Sequence, residues 1–390
     1  DVLAIQVKEE DRQQWYVELV DLKHNLVQRI AKADTPFDQL LWAGDEDLLL
    51  SADGKGIFSQ KVRYREADRF VSAVHVARTS AERFYVEAWS LPWPGRILDS
   101  VPIRPGHVVL ESLAADGQIR VEELDVRSKQ AFEAYRNLTG SRQLNALGNG
   151  EHGWLVDGEG RPAVALTYVG LDLILSRPQD GKLVGFLKLN PESAFLPVAT
   201  SRDGTRLYAL TEENRAQREL VEYDIAAAKV TRTLFSRPGS DVQSIIFDPG
   251  RQPIGVRYFR DGSLLSEYFD ASNQHVVELL KQAFPGRMAS VIDKSADGTQ
   301  LILWVEASDS TPKLYHLDQR SGKARLIEDS MPWLKANTLA PSQVLTARSN
   351  DGLAIESYLT LPPGSGKRPL VVMPHGGPVG VSDSLRFDRD

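Results

Sequence analysis

A chain of 390 residues with 42% apolar and 25% charged residues has an ordinary globular composition and room for two domains. Its net charge of −7, with interspersed signs, argues mildly against a nucleic-acid partner, which usually needs a basic face. The absence of cysteine excludes a disulfide framework and a thiolate nucleophile. No apolar run approaches the roughly 18–20 residues that span a bilayer, so no membrane partner is predicted. No basic leader is visible at the start. We expect a soluble protein, cytoplasmic or periplasmic.

From residue 1 to about 335 the pattern predicts short alternating strands broken by turns, with no convincing amphipathic helix. Asp-Gly-type turns recur at spacings of 46, 45 and 49 residues. They are Asp157-Gly158, Asp203-Gly204, Asp248-Pro249-Gly250 and Asp297-Gly298. Singly, each is ordinary hairpin chemistry, because glycine supplies positive φ without steric cost. Their regular recurrence indicates a repeated supersecondary unit.

A second register consists of an apolar-Asp step at the end of a strand-like run. It occurs at Asp21, Asp125, Asp224, Asp270 and Asp318, and the two wide gaps are filled by points near His75 and Arg177. A period of 40–50 residues built from short strands is typical of a β-propeller, in which each blade packs on its neighbours. Seven registers predict an all-β, seven-bladed propeller over residues 1–338. Its first blade is expected to be incomplete, because the chain opens directly in a strand.

The pattern of apolar and polar residues changes after residue 338. Gln343 to Ala347 and Ala354 to Leu361 alternate around the turn Asn350-Asp351-Gly352, which predicts a hairpin. Leu370 to Met373 is a continuous apolar run, as in a strand buried on both faces of a sheet, and His375-Gly376-Gly377 follows it. An HGG-type turn after such a strand is how α/β-hydrolases supply one N–H of their oxyanion hole. Residues 339–390 therefore predict the first strands of an incomplete α/β-hydrolase domain.

A propeller followed by DGLAIESYLTLPPGSGKRPLVVMPHGGPVGVSDSLRFD at residues 351–388 resembles the prolyl-oligopeptidase family of serine peptidases. The similarity is greatest to its acylaminoacyl and dipeptidyl peptidase branch. The resemblance implies hydrolysis of short peptides by acyl transfer, with the propeller gating substrate access. It also implies that the Ser, Asp and His of the triad come later than this chain. The nearest approach to a G-x-S-x-G elbow, Gly380 to Ser384, lacks the second glycine.

The candidate site residues are therefore those of the glycine turn. Backbone groups of Gly376 and Gly377 are expected to form the oxyanion-hole region, where a side chain would block close approach to a tetrahedral intermediate. His375 is expected to brace the loop through its own hydrogen bonds, since the family's general base lies near the far carboxyl terminus. Alone, the chain is expected to lack the triad and to be inactive.

The other candidate residues give weaker evidence for a functional site. The remaining histidines are scattered without metal-ligand spacing, so neither a metal nor a cofactor is predicted. The acidic clusters Asp45-Glu46-Asp47 and Glu122-Glu123 are interpreted as solvated turn or strand faces, and Glu212-Glu213 as a hairpin loop. Short peptides are the predicted partners, and a homo-oligomer is left open. The alternative hypothesis is a stand-alone propeller that binds a peptide or protein. It would leave the apolar hydrolase strands exposed.

Overall fold

The computed structural model describes residues 2–9, 14–53, 69–78, 83–92, 95–100, 104–113, 119–127, 129–130, 141–143, 153–295, 297–334, 339–364, 366–376 and 383–388. Their strands form seven consecutive antiparallel sheets, each an up-and-down meander, followed by one hairpin. Because each sheet uses strands that follow one another in the chain, no strand crosses from one sheet into another. The sheets are the blades of the predicted seven-bladed β-propeller.

The first four sheets cover residues 2–189. Sheet 1 contains β1 (Val2–Glu9), β2 (Gln14–Asp21) and β3 (Leu26–Ala33). Sheet 2 contains β4 (Phe37–Trp42), β5 (Asp47–Asp53), β6 (Arg69–Arg78) and β7 (Phe84–Pro92). Sheet 3 contains β8 (Gly95–Ser100), β9 (His107–Leu113), β10 (Ile119–Asp125) and β11 (Ser141–Gln143). Sheet 4 contains β12 (Gly153–Val156), β13 (Pro162–Val169), β14 (Asp172–Gln179) and β15 (Lys182–Leu189).

The remaining elements cover residues 195–360. Sheet 5 contains β16 (Phe195–Thr200), β17 (Arg206–Thr211), β18 (Glu219–Asp224) and β19 (Lys229–Phe235). Sheet 6 contains β20 (Val242–Phe247), β21 (Pro253–Arg260) and β22 (Ser263–Tyr268), and helix α1 (Ala271–Ala283) follows it. Sheet 7 contains β23 (Met288–Lys294), β24 (Gln300–Ala307), β25 (Ser310–Asp318) and β26 (Lys323–Asp329). The hairpin is β27 (Ser342–Arg348) and β28 (Ala354–Thr360).

By their internal contacts the residues fall into two compact units. One comprises residues 1–214, 220–234 and 248–252, and so contains sheets 1–4 and most of sheet 5. The other comprises residues 215–219, 235–247 and 253–390, and contains the strands of sheet 6, helix α1, sheet 7, the hairpin and the terminal segment.

The recurring Asp-Gly turns connect the first two strands of sheets 4 to 7. In the turn between β16 and β17, Oδ1 of Asp203 accepts hydrogen bonds from the Ser201 hydroxyl at 2.6 Å and the Thr205 amide at 3.1 Å. Gly204 follows with φ of +72°, a conformation that side chains disfavour. The turn at Asp297 repeats these contacts with its own flanking serine and threonine. The repeated sequence therefore encodes a repeated local structure.

The second register is confirmed in sheets 2, 3, 4, 5 and 7, whereas Asp21 ends β2, the second described strand of sheet 1, and Asp270 lies two residues after β22. Asp125, Asp224 and Asp318 end the third strands of sheets 3, 5 and 7, and the two interpolated points, His75 and Arg177, lie in the third strands of sheets 2 and 4. In these five sheets the same position of the sequence repeat therefore lies in the third strand of the blade.

Packing between the sheets of the first unit follows the two-residue period of a strand. In β5, Leu48 and Leu50 are fully buried in a cluster with sheet 1 residues such as Leu19, whereas Leu49 between them enters a cluster with sheet 3 residues such as Leu110. Both faces of one strand are buried because each blade lies between two others. This explains the uninterrupted leucine run at residues 48–50.

Helix α1 contradicts the prediction of no amphipathic helix. The Asp270 side chain caps its first turn by accepting from the Asn273 amide at 2.9 Å. Leu280 is buried with the sheet 7 residues Leu301 and Leu303, while much of the rest of the helix is polar. With so narrow an apolar stripe, the sequence pattern is weak. The apolar-Asp step at residue 270 was taken only for a strand end, although the same residue begins a helix.

The cap makes a testable contribution to stability. Asp270→Ala is expected to lower the free energy of unfolding by about 1 kcal/mol, as for other capping residues, and Asp270→Asn should retain most of it. Hydrogen bonds from Asn273 and Ser272 lower the pKa of Asp270 from 3.8 to about 2. Because the folded-state pKa is depressed, the stabilisation is present above pH 4 and is lost as the pH falls towards 2. Urea titrations at pH 7 and pH 2 measure it. An equal deficit of the alanine variant at pH 7 and pH 2 would contradict this assignment.

Candidate functional site

The residues of the predicted oxyanion turn lie at the end of the second unit. His375 Nδ1 donates a hydrogen bond to the Gly376 carbonyl at 2.5 Å, and both residues are exposed. A Cβ built on Gly376 would meet no atom within 4 Å. Gly377 lies outside the described residues. Among the described residues, none lies close enough to exclude a side chain at position 376. An oxyanion role for Gly376 and Gly377 therefore stays a prediction.

The apolar run that leads into this turn does not form the predicted strand. Leu370, Val371, Val372 and Met373 have no secondary structure and are 71–78% exposed. A strand buried on both faces of a sheet needs neighbouring strands for its backbone hydrogen bonds. None of the described residues of this chain supplies such neighbours to residues 370–373. The exposed apolar patch is the one expected for hydrolase strands without their sheet.

The hairpin that precedes this run does form as predicted. Strands β27 and β28 pair in register from Ser342 with Thr360 to Arg348 with Ala354. Their turn uses the chemistry of the propeller turns, because the Ser349 hydroxyl and the Leu353 amide both donate to Oδ1 of Asp351. The pairing and the turn of this hairpin therefore come from contacts within residues 342–360, unlike the run at 370–373.

Two contacts attach the terminal segment 383–388 to the blades of its own unit. The Leu385 amide donates to the Gly262 carbonyl at 2.7 Å, in the turn between β21 and β22. Arg386 Nε lies 2.6 Å from Oε1 of Glu306, a β24 carboxylate that is 4% exposed. A buried carboxylate needs such a partner, so Arg386 both fixes the segment and neutralises Glu306.

Several carboxylates that were interpreted as solvated are buried instead. Glu122 and Glu123 in β10 are 8% and 6% exposed, and Arg104 pairs with Glu123 at 2.6 Å. Asp47 is 6% exposed and lies 3.1 Å from Nδ1 of His75, whereas Asp45 and Glu46 beside it are exposed. Burial raises the pKa of Asp47, with His75 acting in the opposite direction. His75 lies on another strand and Arg104 in the turn before β9, so no local pattern could reveal these partners.

Glu212 and Glu213 directly follow β17 in the loop that leads to β18, where the Glu213 amide donates to the Thr211 hydroxyl. Across the described parts of the chain, no cluster of three or more His, Asp or Glu residues is arranged to hold a metal ion. The helix that the structure describes is too short and too polar to cross a membrane.

Comparison with known proteins gives one match in sequence and several in fold. No protein-family model matches the chain. In sequence it is similar to dipeptidyl aminopeptidase BIII from Pseudoxanthomonas mexicana, with 28% identity over 194 residues that make up 47% of this chain and 27% of that protein.

In fold the chain is similar to a puromycin-hydrolysing peptidase from Mycobacterium tuberculosis, with a TM-score of 0.54 and 13% sequence identity. The match covers 92% of this chain and 56% of that one. It is also similar to a prolyl endopeptidase structure, with a TM-score of 0.51, 11% identity, and coverage of 92% and 52%. The chain thus spans just over half the length of these solved structures. At these identities the solved structures show the fold alone. The sequence similarity to a dipeptidyl aminopeptidase supports the resemblance to the prolyl-oligopeptidase family.

Proposed function

We propose that the chain is the propeller and the opening of the catalytic domain of a serine peptidase that hydrolyses short peptides. The observation that carries the proposal is the order of its parts. A seven-bladed propeller is followed by the β27–β28 hairpin and then by an apolar run that ends in His375-Gly376. The sequence similarity to a dipeptidyl aminopeptidase supports the peptidase class. Residues 1–338 are the proposed propeller domain and residues 339–390 the proposed start of the hydrolase domain.

The proposed chemistry is acyl transfer. A serine attacks the peptide carbonyl, a histidine accepts its proton, and an aspartate orients that histidine. These three residues would lie beyond residue 390 in a longer protein. This chain would contribute the turn at Gly376 and Gly377, whose backbone N–H would stabilise the negative oxygen, and His375, which would hold that turn. The propeller would restrict access to short or extended peptides.

The test compares the full-length protein with residues 1–390 on short chromogenic peptide anilides that have a free amino terminus. We expect the full-length protein to hydrolyse them, with loss of activity after treatment with a serine-directed sulfonyl fluoride. Residues 1–390 should have no activity. Hydrolysis by residues 1–390 alone would contradict the proposal. A full-length protein inert towards all peptides would also contradict it, and would favour the binding-module alternative.

Gating by the propeller has its own readout. With peptides of 4 to 40 residues that share one cleavage sequence, kcat/KM is expected to fall with length, and a folded protein carrying that sequence should resist cleavage. Equal cleavage of the folded protein would exclude gating while leaving the peptidase assignment intact.

A further inference from the structure

Sheet 6 differs from the four-stranded blades because helix α1 follows its third strand where another blade has a fourth. Strand β22 pairs with β21 on one side, and no strand of the described chain pairs with its other side. An unpaired strand edge presents N–H and C=O groups to any extended chain that reaches it.

Hydrogen-bonded and non-hydrogen-bonded residue pairs alternate along β21 and β22, and this alternation shows which backbone groups of β22 face its unpaired edge. The β21–β22 turn is the two-residue pair Asp261-Gly262, with φ of 49° and 71°, so Arg260 and Ser263 form the first hydrogen-bonded pair. Because such pairs alternate, the backbone groups of residues 264, 266 and 268 point away from β21.

Two of these three amides donate to side-chain acceptors and not to the carbonyls of a neighbouring strand. The Leu264 amide donates to the Met288 sulfur at 3.3 Å, and the Tyr268 amide donates to the Gln274 side chain at 2.9 Å. A thioether is a weak acceptor, and a glutamine side chain can rotate away. Ser266 lies between them, and among the described residues nothing bonds to its amide on this side. Backbone carbonyls of an incoming peptide would be better partners for all three.

A cavity of about 670 Å³ runs along this edge, within the range of ligand sites. Every residue of β22 lines it, and residues of α1, including Gln274 and Lys281, form another wall. The charged side chains that line the cavity are three basic ones and two carboxylates. Arg237 is paired with Glu267, and Arg287 lies 3.5 Å from Asp309. The third basic side chain, Lys281, lies 3.0 Å from Glu278, a carboxylate outside the lining that is about half exposed, so an incoming carboxylate would compete with Glu278 for Lys281.

We propose that this cleft binds a separate, extended peptide of about five residues that carries an acidic side chain. The peptide pairs with β22 as the fourth strand of sheet 6, and its carboxylate approaches Lys281. Backbone pairing supplies most of the affinity, as in other cases of strand addition, and the positive charge supplies the preference for an acidic sequence. The proposal does not depend on peptidase activity, because it uses no residue of the glycine turn.

The test uses VTEVTV-amide labelled with fluorescein at its amino terminus and measures fluorescence anisotropy with residues 1–390 and with the full-length protein. We expect micromolar binding to both. Methylation of alternate backbone nitrogens in the peptide should weaken binding about tenfold, because two hydrogen bonds are lost. Replacing its glutamate with lysine should weaken binding about two- to fivefold, the range for an exposed ion pair.

Two variants locate the site. Ser266→Pro removes the central edge donor on the side where proline is tolerated in a strand, and should weaken binding about tenfold with little change in thermal midpoint. Lys281→Glu should abolish the preference for the acidic peptide, whereas Lys323→Glu, an exposed change on β26, should not. Binding unaffected by both Ser266→Pro and peptide methylation would overturn the proposal. So would the absence of binding to the full-length protein, because other residues of that protein would then cover the cleft.

Discussion

Replacing Gly377 with proline in the full-length protein is expected to reduce kcat for peptide hydrolysis by about 10²–10³-fold, with little change in KM. Proline has no backbone N–H, so this variant removes one donor to the oxyanion, and the loss of one such donor has an effect of this size. A donor used only in the transition state affects kcat rather than ground-state binding. Steady-state kinetics on a peptide anilide measure both constants.

Gly377→Ala is the comparison for this variant, because alanine keeps the N–H and adds only a methyl group. It should lose less activity than the proline variant, and both should unfold at the same temperature as the unmodified protein. A proline variant with kcat within threefold of the unmodified enzyme would exclude Gly377 as an oxyanion donor. Equal losses in the two variants would point to steric disruption of the turn instead.

Truncation of Leu303 to alanine is expected to have the largest effect on stability, lowering the free energy of unfolding by about 3 kcal/mol, within the range of buried leucine-to-alanine changes. Leu303 in β24 is fully buried against Leu280 of helix α1 and its strand neighbours. The loss combines the transfer free energy of the removed methyl groups with the cavity that remains. Urea denaturation followed by tryptophan fluorescence measures it.

Leu326→Ala in β26 of the same sheet is the matched control, because Leu326 is 47% exposed. It should cost less than about 1 kcal/mol. Similar losses at the two positions would mean that helix α1 does not cover Leu303 as the structure has it.

The blades could be predicted because their signals are local. An aspartate such as Asp203 fixes its turn through hydrogen bonds to residues two positions away, and this pattern recurs in the sequence wherever the turn recurs. The hairpin around Asp351 was predictable for the same reason. Helix α1 was missed because few of its residues face the core and because its capping aspartate also fits the strand-end register.

Features that depend on distant partners could not be read from the sequence. The run at 370–373 has the composition of a buried strand, but a strand forms only where other strands bond to it. The burial of Glu123 depends on Arg104, in the turn before β9, and that of Glu306 on Arg386, 80 residues away. The oxyanion turn was proposed from residue order alone. The geometry at Gly376 adds only its hydrogen bond with His375.

The most direct test of the account is fluorophosphonate labelling of the full-length protein, followed by peptide mapping in a mass spectrometer. The account predicts a single labelled serine that lies beyond residue 390 within a G-x-S-x-G sequence, and no labelling of residues 1–390 expressed alone. Labelling of a serine within residues 1–390, or a full-length protein that does not react, would contradict it.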